Sequence, residues 1–201
     1  MFARVNIIFG RRDKVDDGLA HLEESDRGAV ESAAGNLGLT TFVDREAGVI
    51  VAVSYWDEPA HSSQAVLTRA REGAAAAAGG DLVVESYEVA AQERRSVPLS
   101  GATVRVERVQ IDSSNISDGV AFIRDEVLPQ LRTGAGFCSA ELLIDRGAGT
   151  GQLLTAWTTA ADASRAETVL QQLRDEAVER VGTKFPRTET YTLVRTSTPA
   201  G

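Results

Sequence analysis

At 201 residues, 43% hydrophobic and 25% charged, the chain has enough apolar content for one large globular domain or two small ones. A formal net charge of −8 argues against a surface that neutralises phosphates with Lys and Arg, so nucleic acid and anionic membrane are not expected partners. One cysteine, Cys138, excludes an internal disulfide and any cysteine-pair zinc or redox motif; this fits a reducing compartment, and the expected location is cytoplasmic.

The first nine residues are apolar but interrupted by Arg4 and Asn6, too short to span a bilayer, and read as a strand over Ala3 to Phe9 that stops at Gly10-Arg11-Arg12-Asp13. Val15, Leu19, Leu22, Ala29, Val30 and Ala33 then recur at helical spacing, with acidic residues between them and a stop at Gly35-Asn36. Leu37 to Asp44 and Val49 to Trp56 are β-rich runs joined by Arg45-Glu46-Ala47-Gly48, which predicts a hairpin. Asp57-Glu58-Pro59 suits a helix start, the helix running from about His61 to Ala78, and Asp81 to Val89 reads as a last strand.

A polar linker is expected over residues 91–102, after which the same order returns: strand Val104 to Ile111, helix Ser117 to Leu131, hairpin Phe137 to Asp145 and Gln152 to Trp157, helix Ser164 to Val181, strand Thr188 to Arg195. Asp44, Arg45, Ala47, Gly48 and Trp56 recur 101 residues later as Asp145, Arg146, Ala148, Gly149 and Trp157. Arg4/Arg105, Gly18/Gly119 and Gly35/Gly136 pair at the same offset, so duplication is the economical explanation. The expected organisation is repeat 1 over residues 1–90, the linker over 91–102, repeat 2 over 103–197 and a loose tail over 198–201. Each repeat is a ferredoxin-like β-α-β-β-α-β unit, an antiparallel sheet with both helices on one face.

A sheet covered on one face leaves the other bare, and two such sheets can cover each other. Together with Tyr55-Trp56-Asp57-Glu58-Pro59-Ala60, a tryptophan ending the third strand before an acidic helix start, this resembles the dimeric α+β barrel superfamily and its antibiotic-biosynthesis-monooxygenase family. The second copy, Ala156-Trp157-Thr158-Thr159-Ala160-Ala161, fits that signature less closely. The resemblance implies an α+β fold in which two ferredoxin-like repeats pack their antiparallel sheets into an intramolecular dimeric α+β barrel. It implies further a cofactor-independent oxygenase acting on an aromatic or polycyclic molecule. A non-catalytic module that binds a small hydrophobic ligand or self-associates is the alternative, and haem binding or degradation a second one.

Within that resemblance Asn6, Trp56 and His61 are the candidate catalytic residues, and Tyr55 and Trp157 the candidate ligand-binding ones. An oxygenase pocket needs donors and acceptors that stabilise a phenolate or enolate, which Asn, Trp, Tyr and His supply. Haem-degrading members place an iron-ligating histidine near the position of Ala65, and His61 lies about one helical turn earlier. The plainer reading of Trp56 and Trp157, large core residues where helix meets sheet, outweighs catalysis. Asp44-Arg45 and Asp145-Arg146 read as turn-stabilising or ion-pairing groups. No metal site is expected. The copies diverge at Asn6/Glu107, Tyr55/Ala156 and His61/Asp162, so any working pocket is expected in one copy only.

Overall fold

A computed structural model describes residues 1–63 and 65–197. The expected tail, 198–201, lies outside the described residues. The strands are β1 (Phe2–Phe9), β2 (Asn36–Asp44), β3 (Val49–Trp56), β4 (Asp81–Arg94), β5 (Thr103–Gln110), β6 (Phe137–Asp145), β7 (Thr150–Trp157) and β8 (Lys184–Thr196). The α-helices are α1 (Val15–Ala20), α2 (Arg27–Glu31), α3 (Ala65–Ala78), α4 (Ile116–Phe122), α5 (Leu128–Arg132) and α6 (Ala160–Val181). The hydrogen-bonded strand order is β1-β3-β2-β8-β5-β7-β6-β4, with the last strand bonded back to the first.

The chain divides into two compact units, Met1–Ser86 with the segment from Thr192 onward, and Tyr87–Tyr191. In the first, β1 and β2 flank β3 antiparallel, with Asn6 opposite Ala52 and Thr41 also opposite Ala52. One face of this sheet, carrying Ile8, Leu39, Val43, Ile50 and Trp56, packs against Val15, Leu19 and Leu22 and against Leu67, Ala70 and Ala74 of α3. The second unit repeats the plan, β7 between β5 and β6, with Leu142, Ile144, Leu153 and Trp157 packed on Val120, Ile123, Leu131, Leu170 and Leu173.

Three local features depart from expectation. The helices expected as continuous runs each contain a π-helical stretch, His21–Asp26 and Ile123–Val127, at matching places in the two repeats. A π turn accommodates an extra residue without ending the helix, and hydrophobic periodicity does not register it. The strand expected to end at Val89 continues to Arg94, through residues assigned to the linker. After an irregularity between Val89 and Ala91 it pairs Ala91 with Leu142 and Arg94 with Ser139; β6 supplies a ladder that polar composition conceals. Likewise β8 begins at Lys184 rather than Thr188 and continues through Pro186.

The Asp-Arg hairpins behave as turns. Asp44 Oδ1 accepts from the amides of Glu46 and Ala47, and Asp145 Oδ1 from those of Gly147 and Ala148. Arg45 pairs with Asp16 and Arg146 with Glu88, at exposed positions where such pairs contribute little.

Candidate functional site

In the first unit, strand alternation decides which expected site residues can meet. Asn6, Ala52 and Ser54 share the helix-facing side of the sheet and line a hollow with Leu22, Leu67 and Arg71. Its volume is about 30 Å³, room for about one or two waters. Asn6 is 9% exposed; its Nδ2 donates to the Ala52 carbonyl at 3.3 Å, while its Oδ1 has no hydrogen-bond partner among the described residues. A buried carbonyl oxygen left without a donor is costly, which makes Oδ1 a ready acceptor for a bound hydroxyl.

Trp56 is on the same face, fully buried, and its Nε1 donates to Ser54 Oγ at 2.9 Å, so it steadies the wall of the hollow. Tyr55, its neighbour in sequence, is buried on the opposite face of the sheet. His61 sits in the short helical turn Pro59–Ser63, half-exposed, with Nδ1 2.7 Å from Asp57 Oδ1. The Asp57 hydrogen bond holds the His61 pKa above its ordinary value.

One participant escaped the sequence reading. Arg71 of α3 lines the hollow, donating from Nε to the Leu67 carbonyl at 2.9 Å and from Nη2 to the Ser62 carbonyl at 3.2 Å. Its position on an amphipathic helix gave no signal, because a long arginine there ordinarily reaches solvent.

The equivalent place in the second unit is filled by charge. Glu107, at the repeat position of Asn6, is 1% exposed and receives Arg174 Nη1 at 2.7 Å, with Arg105 at 3.8 Å. Glu167 pairs with both arginines. Burial pushes the Glu107 carboxyl above its ordinary range despite both arginines. The folded state therefore holds this proton more tightly than the unfolded chain does. Stability falls as pH rises from the ordinary carboxyl value, about 4.3, through the raised one. Glu107→Gln removes that titration, so urea denaturation should show the variant gaining on the parent as pH rises through this window. A difference independent of pH would contradict the assignment.

The larger space lies beside Trp157. A cavity of about 450 Å³ is walled by Leu131, Gly134, Trp157, Ala166 and Val169, with Arg165 and Asp162 as its charged members and Gln130 and Thr133 as further polar ones. Trp157 Nε1 donates to Thr155 Oγ1 at 3.0 Å, and the indole meets Phe137 edge-on with centroids 5.4 Å apart. Thr159 caps α6, its Oγ1 accepting from the Asp162 amide and donating to Asp162 Oδ2. With Arg165 also on Asp162, the Thr159 hydrogen bond and that guanidinium hold the Asp162 carboxyl below the usual range.

Trp157 and Asp162 stand at the repeat positions of Trp56 and His61, so the cavity falls where the expected site lies in the other copy. The two places share a backbone device. Gly35 and Gly136 both have positive φ, and a Cβ on either would stand 2.2 Å from His61 or Asp162, respectively. Among the described residues no cluster of three or more His, Cys, Asp or Glu could hold a metal ion, and no helix is long and apolar enough to cross a membrane.

No family model matches the sequence. The chain is 34% identical over 151 residues to the uncharacterized protein Rv2557 of Mycobacterium tuberculosis, the match covering 74% of this chain and 67% of that one. The chain belongs to the family of that protein. Among solved structures, a candidate monooxygenase from Fusobacterium nucleatum superposes with a TM-score of 0.74 at 13% identity, over 100% of this chain and 95% of that one. An anthrone oxidase-like protein gives 0.71 at 12% identity, over 98% and 92%. A ferredoxin-fold protein related to antibiotic biosynthesis monooxygenases, from Listeria monocytogenes, gives 0.51 at 12% identity, over 96% and 95%. Identities this low carry the fold alone, and the fold is a closed eight-stranded antiparallel barrel formed by two ferredoxin-like repeats.

Proposed function

We propose that this protein holds a small, largely apolar aromatic molecule in the cavity beside Trp157. The observation that carries the reading is the cavity itself: about 450 Å³, mostly apolar walls, an indole as one wall, a guanidinium and a carboxylate as its charged groups, and Gln130 and Thr133 as further polar ones. Ligand pockets have this size and this mixture, with apolar walls giving affinity and a few polar groups giving orientation. Trp157 offers a ring face or edge to an aromatic ligand. The two repeats, 1–90 and 103–197, are then separately diverged halves, and a single cysteine, Cys138, supports a reducing compartment such as the cytoplasm.

Titrating anthrone into a Trp56→Phe background, so that Trp157 is the only indole, should give saturable fluorescence quenching. Ala166→Phe fills the cavity from α6 and should abolish the quenching while leaving the melting temperature unchanged. Undiminished quenching in that variant would sink the reading.

A second reading, cofactor-independent oxygenation, is favoured by Asn6. Its Oδ1, unpartnered among the described residues, lies at the hollow in the first unit with Arg71 in the same wall, an acceptor for a phenol and a cation for the resulting phenolate. On this reading Asn6 and Arg71 act on the ligand and Trp56 positions Ser54. Oxygen uptake with anthrone, which reacts through its phenolic tautomer anthrol, checks it: uptake should fall at least tenfold in Asn6→Ala.

A further inference from the structure

The polar residues around the cavity beside Trp157 are not equally available to a ligand. Thr133 Oγ1 donates to the Gln130 carbonyl at 2.8 Å, and the Gln130 side chain stands in solvent. Asp162 is 8% exposed and both of its oxygens are engaged, Oδ2 by Thr159 Oγ1 and Oδ1 by Arg165 Nη2. Two donors already hold that carboxylate, and burial leaves little of it within a ligand's reach.

Arg165 is the opposite case. A guanidinium carries five N–H donors; Arg165 engages Asp162 through Nη2, and among the described residues its Nε and Nη1 have no acceptor. Asp162 nevertheless fixes its direction, since the pair spans one turn of α6 and Thr159 ties Asp162 to the helix cap. The guanidinium is oriented in advance with most of its fork open, the arrangement that receives a carboxylate through parallel N–H···O bonds. Its side chain is 65% exposed, at the solvent end of the cavity, whereas Trp157 is fully buried. Val169, an exposed apolar residue, lines the cavity as well. From indole to guanidinium the lining passes from apolar to cationic. At the repeat position of Arg165 the first copy carries the uncharged Gln64.

Resting on the reading that this cavity holds an aromatic molecule, we propose that the molecule is an aryl carboxylate, its ring system against Trp157 and Val169 and its carboxylate on Arg165. Arg165 then bridges two carboxylates, that of Asp162 and that of the ligand. The apolar walls supply affinity for the rings, and the open donors of Arg165 select the acid over neutral or cationic molecules of the same shape. All the lining residues belong to the second unit.

Isothermal titration calorimetry of the full chain tests the charge preference, with 2-naphthoate, the uncharged 2-naphthamide and 2-naphthylmethylammonium as probes of one ring system. The acid should bind about tenfold more tightly than the amide, the yield of a hydrogen bond to a charged group, and the ammonium should bind most weakly. Arg165→Gln should bring acid and amide to within about twofold of each other, and Arg165→Glu should reverse their order, with thermal melts reporting the folding of both variants. Ala166→Phe should abolish binding of the acid. The proposal is overturned if acid and amide bind the parent alike, if the ammonium binds best, if the acid keeps its advantage in Arg165→Gln, or if anthrone binds and the acid does not. In each of those outcomes, loss of the bound aromatic in Ala166→Phe leaves the cavity reading standing. If no probe binds, anthrone included, both readings fall together.

Discussion

Arg27→Ala is expected to lower the free energy of unfolding by about 3–5 kcal/mol, the usual cost of removing one partner from a buried ion cluster. Arg27 is 2% exposed, and its guanidinium is fully engaged. Nε and Nη2 reach the two oxygens of Glu23 at 2.7 and 2.8 Å, Nη1 reaches Glu31 at 2.8 Å and the Leu39 carbonyl at 3.1 Å, and Nη2 also reaches Thr41 Oγ1 at 2.9 Å. Truncation leaves two carboxylates facing each other and removes the Arg27 donor from the Thr41 hydroxyl and the Leu39 carbonyl, with Ser197 still donating to Glu31 and to Leu39. The second copy shows how the same place is filled without charge, since the repeat positions of Arg27 and Thr41 are Leu128 and Leu142, both fully buried. Arg27→Leu combined with Thr41→Leu should therefore be less damaging than Arg27→Ala alone. Urea denaturation measures all three chains; a loss below about 1 kcal/mol in Arg27→Ala would show the cluster to be worth no more than a surface pair.

Trp157→Ala carries the next largest expectation, about 3–5 kcal/mol for emptying a buried tryptophan site. The indole is 1% exposed, packed edge-on against Phe137, and its Nε1 holds Thr155 Oγ1. Trp157→Phe keeps most of the buried area and loses that hydrogen bond, so its cost should be nearer 1–2 kcal/mol. Calorimetric melting separates the two, since 1 kcal/mol corresponds to about 2–4 °C for a chain of this length. The paired ligand measurement is informative too. Trp157→Ala should lose anthrone binding, and Trp157→Phe, read by calorimetric titration, should retain it weakened. Equal melting of the two variants would mean that the aromatic site can collapse around any side chain.

The repeat was legible because it is written in chemistry that survives divergence: hairpin carboxylates that cap their own turns, glycines at left-handed positions and a tryptophan at a strand end. Arg27 was not legible. A basic residue in an amphipathic helix resembles a solvent-facing one, and only the Thr41 hydroxyl and Leu39 carbonyl, twelve or more residues away, show that it points inward. Residues 91–94 read as linker because their side chains are polar, although β6 bonds their backbone. At the candidate site, Asn6 could be placed from strand position alone, whereas Arg71 could not. Trp157 was visible as a buried aromatic, but the space beside it depends on how Gly134 and Ala166 leave the helices apart, which no local pattern records.

The long strands β4 and β8 have a consequence for biosynthesis. The division between units falls inside both, after Ser86 and after Tyr191, so each sheet is completed by chain from the other repeat. Thr41 of β2 pairs with Arg195 of β8, and no nearer segment supplies that ladder. On the ribosome the first unit can gather its helices and three strands early, but the β2 edge stays unpaired until β8 emerges. Contacts of such sequence separation form slowly, and an open strand edge in the interval invites pairing with other chains. Demand for chaperone protection should therefore last until β8 has been made rather than end between the repeats.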